Sequence, residues 1–267
     1  GPASADDMEM VVKERGQMTK IHQGGEIRFD PATVLITGAS SGIGAELARF
    51  YARSGRRLVL WGRDPARLEQ VARDCRTMGA TVATRELNLA DGAAAIVAFR
   101  EDDDAHPVDL LILAAGLGDM RQKAALTERA ETVLELGLVN FATPAALATA
   151  GAERMVPRRR GHIVLLGSVA AFHALPFAPG YSGSKAGLLR FAEALRNGLL
   201  DHGVGVTLVS PGLVDTPMSR RVRSTQPLLQ SAPQPPLLHP PAADGGAPPL
   251  HFPRVPAVPR AVAPCAP

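Results

Sequence analysis

Tyr181 and Lys185 stand four residues apart in Tyr181-Ser182-Gly183-Ser184-Lys185, so on a helix the phenol and the ammonium share one face, one turn apart. An ammonium beside a phenol favours the phenolate. A tyrosine so placed can exchange a proton with an alcohol or a ketone near neutral pH. Tyr and Lys often share a helix face by chance, and the pair gains weight from what lies upstream. Ser168 precedes Tyr181 by thirteen residues, and a glycine-rich run, Thr37-Gly38-Ala39-Ser40-Ser41-Gly42-Ile43-Gly44, lies near the start. Glycines there permit a tight turn and let backbone approach a pyrophosphate, whose charge a helix N-terminus favours. The spacing is G-x-x-x-G-x-G, not G-x-G-x-x-G.

These residues need strands and helices to bring them together. Short apolar runs predict strands at Thr33–Thr37, Arg57–Trp61, Thr81–Leu87, Leu110–Ala114, Gly161–Leu166 and Gly205–Val209. Their Val/Ile/Leu character suits parallel strands buried on both faces. Amphipathic stretches alternate with them. Ile43–Arg53 carries Ile43, Leu47 and Phe50 or Tyr51 on one side and stops at Gly55, and another helix opens at Asp64-Pro65, an N-cap followed by proline. The alternation argues an α/β fold, a doubly wound parallel sheet in three layers.

Residues 1–31 are polar and aperiodic and read as a flexible extension, whose opening Gly1-Pro2 has the character of a cloning scar. Residues 32–224 form the predicted domain. From 225 to 267 the composition changes: thirteen of the 23 prolines lie there, which excludes an ordinary helix or central strand and leaves at most one short edge strand near Leu250–Phe252.

Hydrophobic residues make up 46% of the chain but aromatics only 4%, so the core must be built from Ala, Leu and Val. A net charge of +3 with scattered basic residues gives no nucleic-acid footprint. Arg158-Arg159-Arg160 and Asp102-Asp103-Asp104 read as solvated connections. Cys75 and Cys265 offer no metal spacing and no disulfide framework, and the seven histidines show no ligand pattern, so no metal is expected. No apolar run reads as a membrane span and no signal segment stands at the N-terminus, which points to a soluble, cytoplasmic protein.

The motifs in order resemble the short-chain dehydrogenase/reductase family, in its single-domain branch, over about residues 33 to 218. The resemblance implies that Gly38, Ser40, Ser41, Gly42, Ile43 and Gly44 form the cofactor turn, and that Asn88-Leu89 borders the adenine. It implies a catalytic tetrad of Asn140, Ser168, Tyr181 and Lys185, and a nicotinamide facing Pro211-Gly212, Val214 and Thr216. Where the family has Asn-Asn-Ala-Gly this chain has Leu113-Ala114-Ala115-Gly116, which forfeits a strand tether of about 1 kcal/mol, and the resemblance places Ala115 and Gly116 against the cofactor. Arg63 takes the position that would pair with a 2′-phosphate, which favours NADP(H), with NAD(H) the alternative. Ser40 or Ser41 could add a hydrogen bond to that phosphate.

The implied reaction interconverts a carbonyl and an alcohol by hydride transfer. Tyr181 is the acid/base, Lys185 its partner and a ribose anchor, Ser168 a donor to the carbonyl oxygen, and Asn140 holds a relay water. His173, Leu175, Pro176, Phe177, Leu213 and Met218 would make a mostly apolar substrate pocket. The helices carrying Asn140 and Tyr181 could support a homodimer. The proline-rich tail stands where the family has a substrate-covering helix, so cofactor binding with weak or broad turnover is one expectation. A second class of function also stays open: a non-catalytic dinucleotide-binding or interaction protein that uses the tail for a partner.

Overall fold

The computed structural model describes residues 10–14, 17–21, 29–118 and 126–210. Within the N-terminal stretch, which the sequence leaves without regular elements, β1 (Met10–Glu14) pairs antiparallel with β2 (Gln17–Ile21). The main sheet is built from β3 (Thr33–Thr37), β4 (Arg57–Gly62), β5 (Thr81–Glu86), β6 (Leu110–Leu113), β7 (Gly161–Leu166) and β8 (Val204–Val209). All six are parallel, in the order β5-β4-β3-β6-β7-β8. Chain direction across the sheet reverses between β3 and β6, and in such sheets ligands bind outside the carboxyl ends of the strands at that reversal.

Alternation along the strands divides the sheet between two cores. Leu35, Val59, Leu111, Leu113, Ile163 and Leu165 face one side, packing with α3 (Gly92–Ala105), α5 (Thr143–Arg158) and α6 (Pro179–Leu199). Val34, Ile36, Leu58, Leu60, Ile112 and Val164 face the other, with α1 (Gly42–Tyr51) and α2 (Pro65–Thr77). The Leu47 and Tyr51 side of α1 is buried, as its spacing predicts, while Phe50 lies outside. β5 departs from expectation: at the sheet edge it is largely exposed, which its sequence TVATRE tolerates.

α4 (Ala130–Gly137) runs through a π-helical turn, Leu138–Ala142, into α5. The turn has a local cause. Pro144 has no N–H to return to the Asn140 carbonyl four residues back, and the Thr143 N–H instead reaches Leu138 O, five residues back. The 29-residue helical run Ala130–Arg158 contains an 18-residue window of mean hydropathy 1.4, long and apolar enough by composition to span a membrane. This corrects the sequence reading that no such run exists. Half of that window is buried inside the fold, as befits the core helix of an α/β domain.

The acidic run differs from the solvated connection predicted for it, whereas Arg158-Arg159-Arg160 is exposed where α5 ends before β7. Asp102, Asp103 and Asp104 lie in α3, where about 100° of rotation per residue sends each to a different neighbour. Asp103 is buried, accepts from the Val108 N–H at 2.8 Å, and takes both Arg158 terminal nitrogens at 3.0 Å. Arg159 ends α5 in the left-handed region, at φ 49°. Arg160 pairs with Asp109 at 2.9 Å and lies over the Phe29 ring.

Candidate functional site

β3 ends at Thr37, and the chain turns through Gly38 (φ +69°) to enter α1 at Gly42 (φ +56°). Packing explains the first and last glycines of the turn. A Cβ on Gly38 would lie 2.7 Å from Ala115 Cα, so the turn passes this close to the segment after β6 only without it. One on Gly44 would lie 2.3 Å from Gly38 O, so α1 can start this close to the end of β3 only without it. A Cβ on Gly42 would meet nothing within 4 Å. There the helix N-terminus opens into a cavity of about 210 Å³, at the carboxyl ends of β3, β4 and β6.

Of the predicted cofactor residues, Gly38, Ser40, Ser41, Gly42, Ile43, Gly44, Arg63, Asn88, Leu89, Ala115 and Gly116 all line this cavity. Ser41 occupies the N-cap of α1 yet makes no capping hydrogen bond, which leaves its hydroxyl for another partner. Arg63 is exposed at the rim and has no ion pair among the described residues, whereas Asp64 accepts from the Arg67 N–H at 3.0 Å as the α2 N-cap. Asn88 Oδ1 accepts from the Ala90 N–H at 3.0 Å, and Leu89 O accepts from Thr143 Oγ1 at 2.7 Å. Thr37 Oγ1 accepts from the Ala115 N–H at 3.2 Å, joining the ends of β3 and β6.

Of the predicted tetrad, Asn140 and Lys185 come together beside Gly116 at one end of the cavity, while none of the four lines the cavity itself. Asn140 is fully buried in the π-helical turn, where its Oδ1 accepts from the Leu117 N–H at 2.7 Å and its Nδ2 donates to Leu117 O at 2.9 Å and Ser184 Oγ at 3.4 Å. Lys185 Nζ donates to Leu166 O at 2.9 Å, its one hydrogen bond among the described residues, and burial pushes this ammonium down to about 8. Ser168 follows β7 and accepts from the Ala170 N–H at 3.1 Å, with its own O–H left to donate. Tyr181 is half-buried on the first turn of α6 and packs against the core. Gly116 joins cavity and tetrad: a Cβ there would lie 3.3 Å from Asn140 Oδ1 and 3.4 Å from Lys185 Nζ. Pro211, Gly212, Leu213, Val214, Thr216, Met218, the tail and its Leu250–Phe252 strand lie outside the described residues.

The sequence reading did not single out Gly62, Leu87, Ala114, Leu117 and Val139, which also line the cavity, or assign Trp61 to its wall. Their apolar types match any strand end, so only position marks them. Nor did it pick Thr143 or Glu128; a lone acidic residue before a helix gives no signal of its distant partner. The residues present fit a dinucleotide, with first-turn N–H groups of α1 unspent within the helix, an uncommitted Ser41 hydroxyl, and a buried ammonium with donors to spare.

The sequence profile of the short chain dehydrogenase family matches residues 32–227. An uncharacterized oxidoreductase of Myxococcus xanthus is 35% identical over 199 residues, 74% of this chain and 78% of that protein. Dehydrogenase/reductase SDR family member 7B of Bos taurus is 35% identical over 70% of this chain, which spans only 59% of that relative's length. Among solved structures, a short-chain dehydrogenase from Sphingobium yanoikuyae in complex with NADPH superposes with a TM-score of 0.67 at 34% identity, covering 74% of this chain and 79% of that one. The bulky-bulky ketone specific alcohol dehydrogenase of Comamonas testosteroni gives 0.63 at 33%, covering 68% and 72%. The chain belongs to the short-chain dehydrogenase family, a family of oxidoreductases that bind nicotinamide dinucleotides.

Proposed function

We propose that this protein interconverts a carbonyl and an alcohol with NADP(H), with Tyr181 as the acid/base. The observation that carries this reading is Gly116, which lines the cavity at the glycine turn and lies within side-chain reach of both Asn140 and Lys185. A cofactor on the glycine turn would therefore end beside the tetrad. Gly42, Ile43 and Gly44 would hold the pyrophosphate, Arg63 a 2′-phosphate, Asn88 and Leu89 the adenine, and Lys185 the ribose hydroxyls. When bound, the nicotinamide supplies or accepts hydride at the substrate carbon. In the reductive direction the Tyr181 hydroxyl gives its proton to the carbonyl oxygen as the electron pair of the C=O bond moves onto that oxygen. Ser168 donates a hydrogen bond to the same oxygen, stabilising charge that grows in the transition state. Lys185 then favours the phenolate until solvent returns the proton. Asn140 Oδ1, which lies near Gly116 as Lys185 Nζ does and has a second lone pair beyond the one spent on the Leu117 N–H, would seat the water of that relay.

An apolar ketone is the proposed substrate class, supported by the Comamonas enzyme's bulky-ketone specificity and by Phe172 and Phe177 between Ser168 and Tyr181. Exposed Val133 and Leu134 on α4 support a homodimer through that helix and α6. Trp61, the only tryptophan, is buried in the cavity wall and reports occupancy. Titrating its fluorescence should show NADPH binding more tightly than NADH. Arg63→Ala should weaken NADPH by about 10- to 100-fold, the loss of one charge-assisted hydrogen bond, and leave NADH unchanged. Equal NADPH affinity in both proteins would refute the 2′-phosphate assignment.

A further inference from the structure

We propose that Glu128 is the positioning residue that fixes the first turn of α6 and, through it, the place of the Tyr181 phenol. The inference rests on the reading of Tyr181 as the acid/base. The N-cap of α6, Ala178, has no capping side chain, and Pro179 at the first helical position has no N–H. The Ser182 N–H bonds Ala178 O at 3.0 Å. The first turn thus has two N–H groups left, those of Gly180 and Tyr181. Glu128 takes both, Oε2 from Gly180 and Oε1 from Tyr181, each at 2.9 Å.

The carboxylate comes from more than fifty residues away in sequence and is only 5% exposed, so it is built into the packing of α4 on α6. Gly180 makes the approach feasible. A Cβ there would lie 3.3 Å from Glu128 Oε2 and 3.0 Å from Val133 Cγ2 on α4. The other end of the Tyr181 peptide is held from the same side of the molecule. Ser184 Oγ donates to Tyr181 O at 2.8 Å, and Asn140 Nδ2 reaches Ser184 Oγ. Tyr181 is therefore tied through its N–H directly to Glu128 and through its C=O, by way of Ser184, to Asn140, and the Glu128 carboxylate sits at the positive end of the α6 dipole. A reacting group misplaced by about 1 Å can lose about 100-fold in rate.

Two variants and two readouts test this. Glu128→Gln keeps one acceptor oxygen and turns an amide nitrogen toward the second N–H; Glu128→Ala removes both. Assayed with NADPH and a bulky ketone well below the melting temperature, Glu128→Ala should lower kcat about 10- to 100-fold, with Glu128→Gln between it and the unaltered protein. NADPH affinity by Trp61 fluorescence should stay within about twofold, since the glycine turn is untouched. The chain has two tyrosines, so protein labelled with 3-fluorotyrosine gives two fluorine resonances, assigned by Tyr181→Phe. Both variants should shift or broaden the Tyr181 resonance and leave that of Tyr51. An unmoved Tyr181 resonance, or unaltered kcat in a folded variant, overturns the proposal. If the unaltered protein reduces no carbonyl with NADPH, the functional reading fails on its own, and the fluorine spectra still decide the role of Glu128.

Discussion

Replacing Asn140 by alanine should destabilise the protein before any cofactor is added. The substitution removes both hydrogen bonds that hold Leu117, one to its N–H at 2.7 Å and one to its carbonyl at 2.9 Å. Asn140 is fully buried and Leu117 nearly so, so both peptide groups lose partners away from bulk water. An unsatisfied buried group costs about 1–3 kcal/mol, or ~2–6 for the pair. Leu117 also borders the cavity, through which a water can reach it, so the lower part of that range applies, ~2–3 kcal/mol. In a domain of this size each kcal/mol shifts the melting temperature by ~2–4 °C, which gives a fall of ~5–10 °C. Thermal and urea melts followed by circular dichroism measure it. Thr143→Val serves as a scale: it strips one donor, from Leu89 O, and should cost about half as much. An Asn140→Ala protein melting with the unaltered chain would mean that Asn140 does not hold the Leu117 end of the cavity in place.

Two pH dependences follow from buried groups. His162 lies 2.8 Å from Thr207 Oγ1 and packs beside Phe29, and burial pushes its imidazole down to about 4. The unfolded chain binds that proton at ~6.5, so stability falls as the pH drops from 6.5 to 4, by about 3 kcal/mol in all. Urea unfolding across that window should show the slope and should lose it in His162→Gln; an identical slope in both would refute the assignment. For Lys185 the window is alkaline. With the folded ammonium at about 8 and the unfolded one near ~10.4, stability rises with pH between those values. Lys185→Met should abolish that rise and be the more stable protein at pH 7, and a slope that survives the substitution would contradict a desolvated ammonium.

Much of the sheet was legible because its strands are short, apolar and separated by turn signals. Thr33–Thr37 and Gly161–Leu166 match their predicted bounds, and the Asp64-Pro65 start of α2 is capped as its residues demand. The glycine turn was legible for a similar reason, since a tight strand-to-helix passage accepts few other residues. Less legible were features set by distant partners. The burial of Asp103 depends on Arg158 fifty-five positions away, and Glu128 meets Tyr181 across fifty-three; neither spacing leaves a trace in local pattern. The π-helical turn is intermediate: Pro144 signals a disturbed helix, but not that Asn140 would use it to reach Leu117. The acidic run misled because a run along the chain becomes a fan around a helix.

The most direct test of the proposed chemistry compares the unaltered protein with Tyr181→Phe, reading cofactor binding and turnover on the same samples. NADPH should quench Trp61 equally in both, because the cavity that Trp61 lines does not include the Tyr181 ring. Reduction of a bulky ketone, followed by loss of NADPH absorbance, should occur in the unaltered protein and fall by at least ~100-fold in the variant. Equal turnover by the two proteins would contradict Tyr181 as the proton donor and, with it, the central claim.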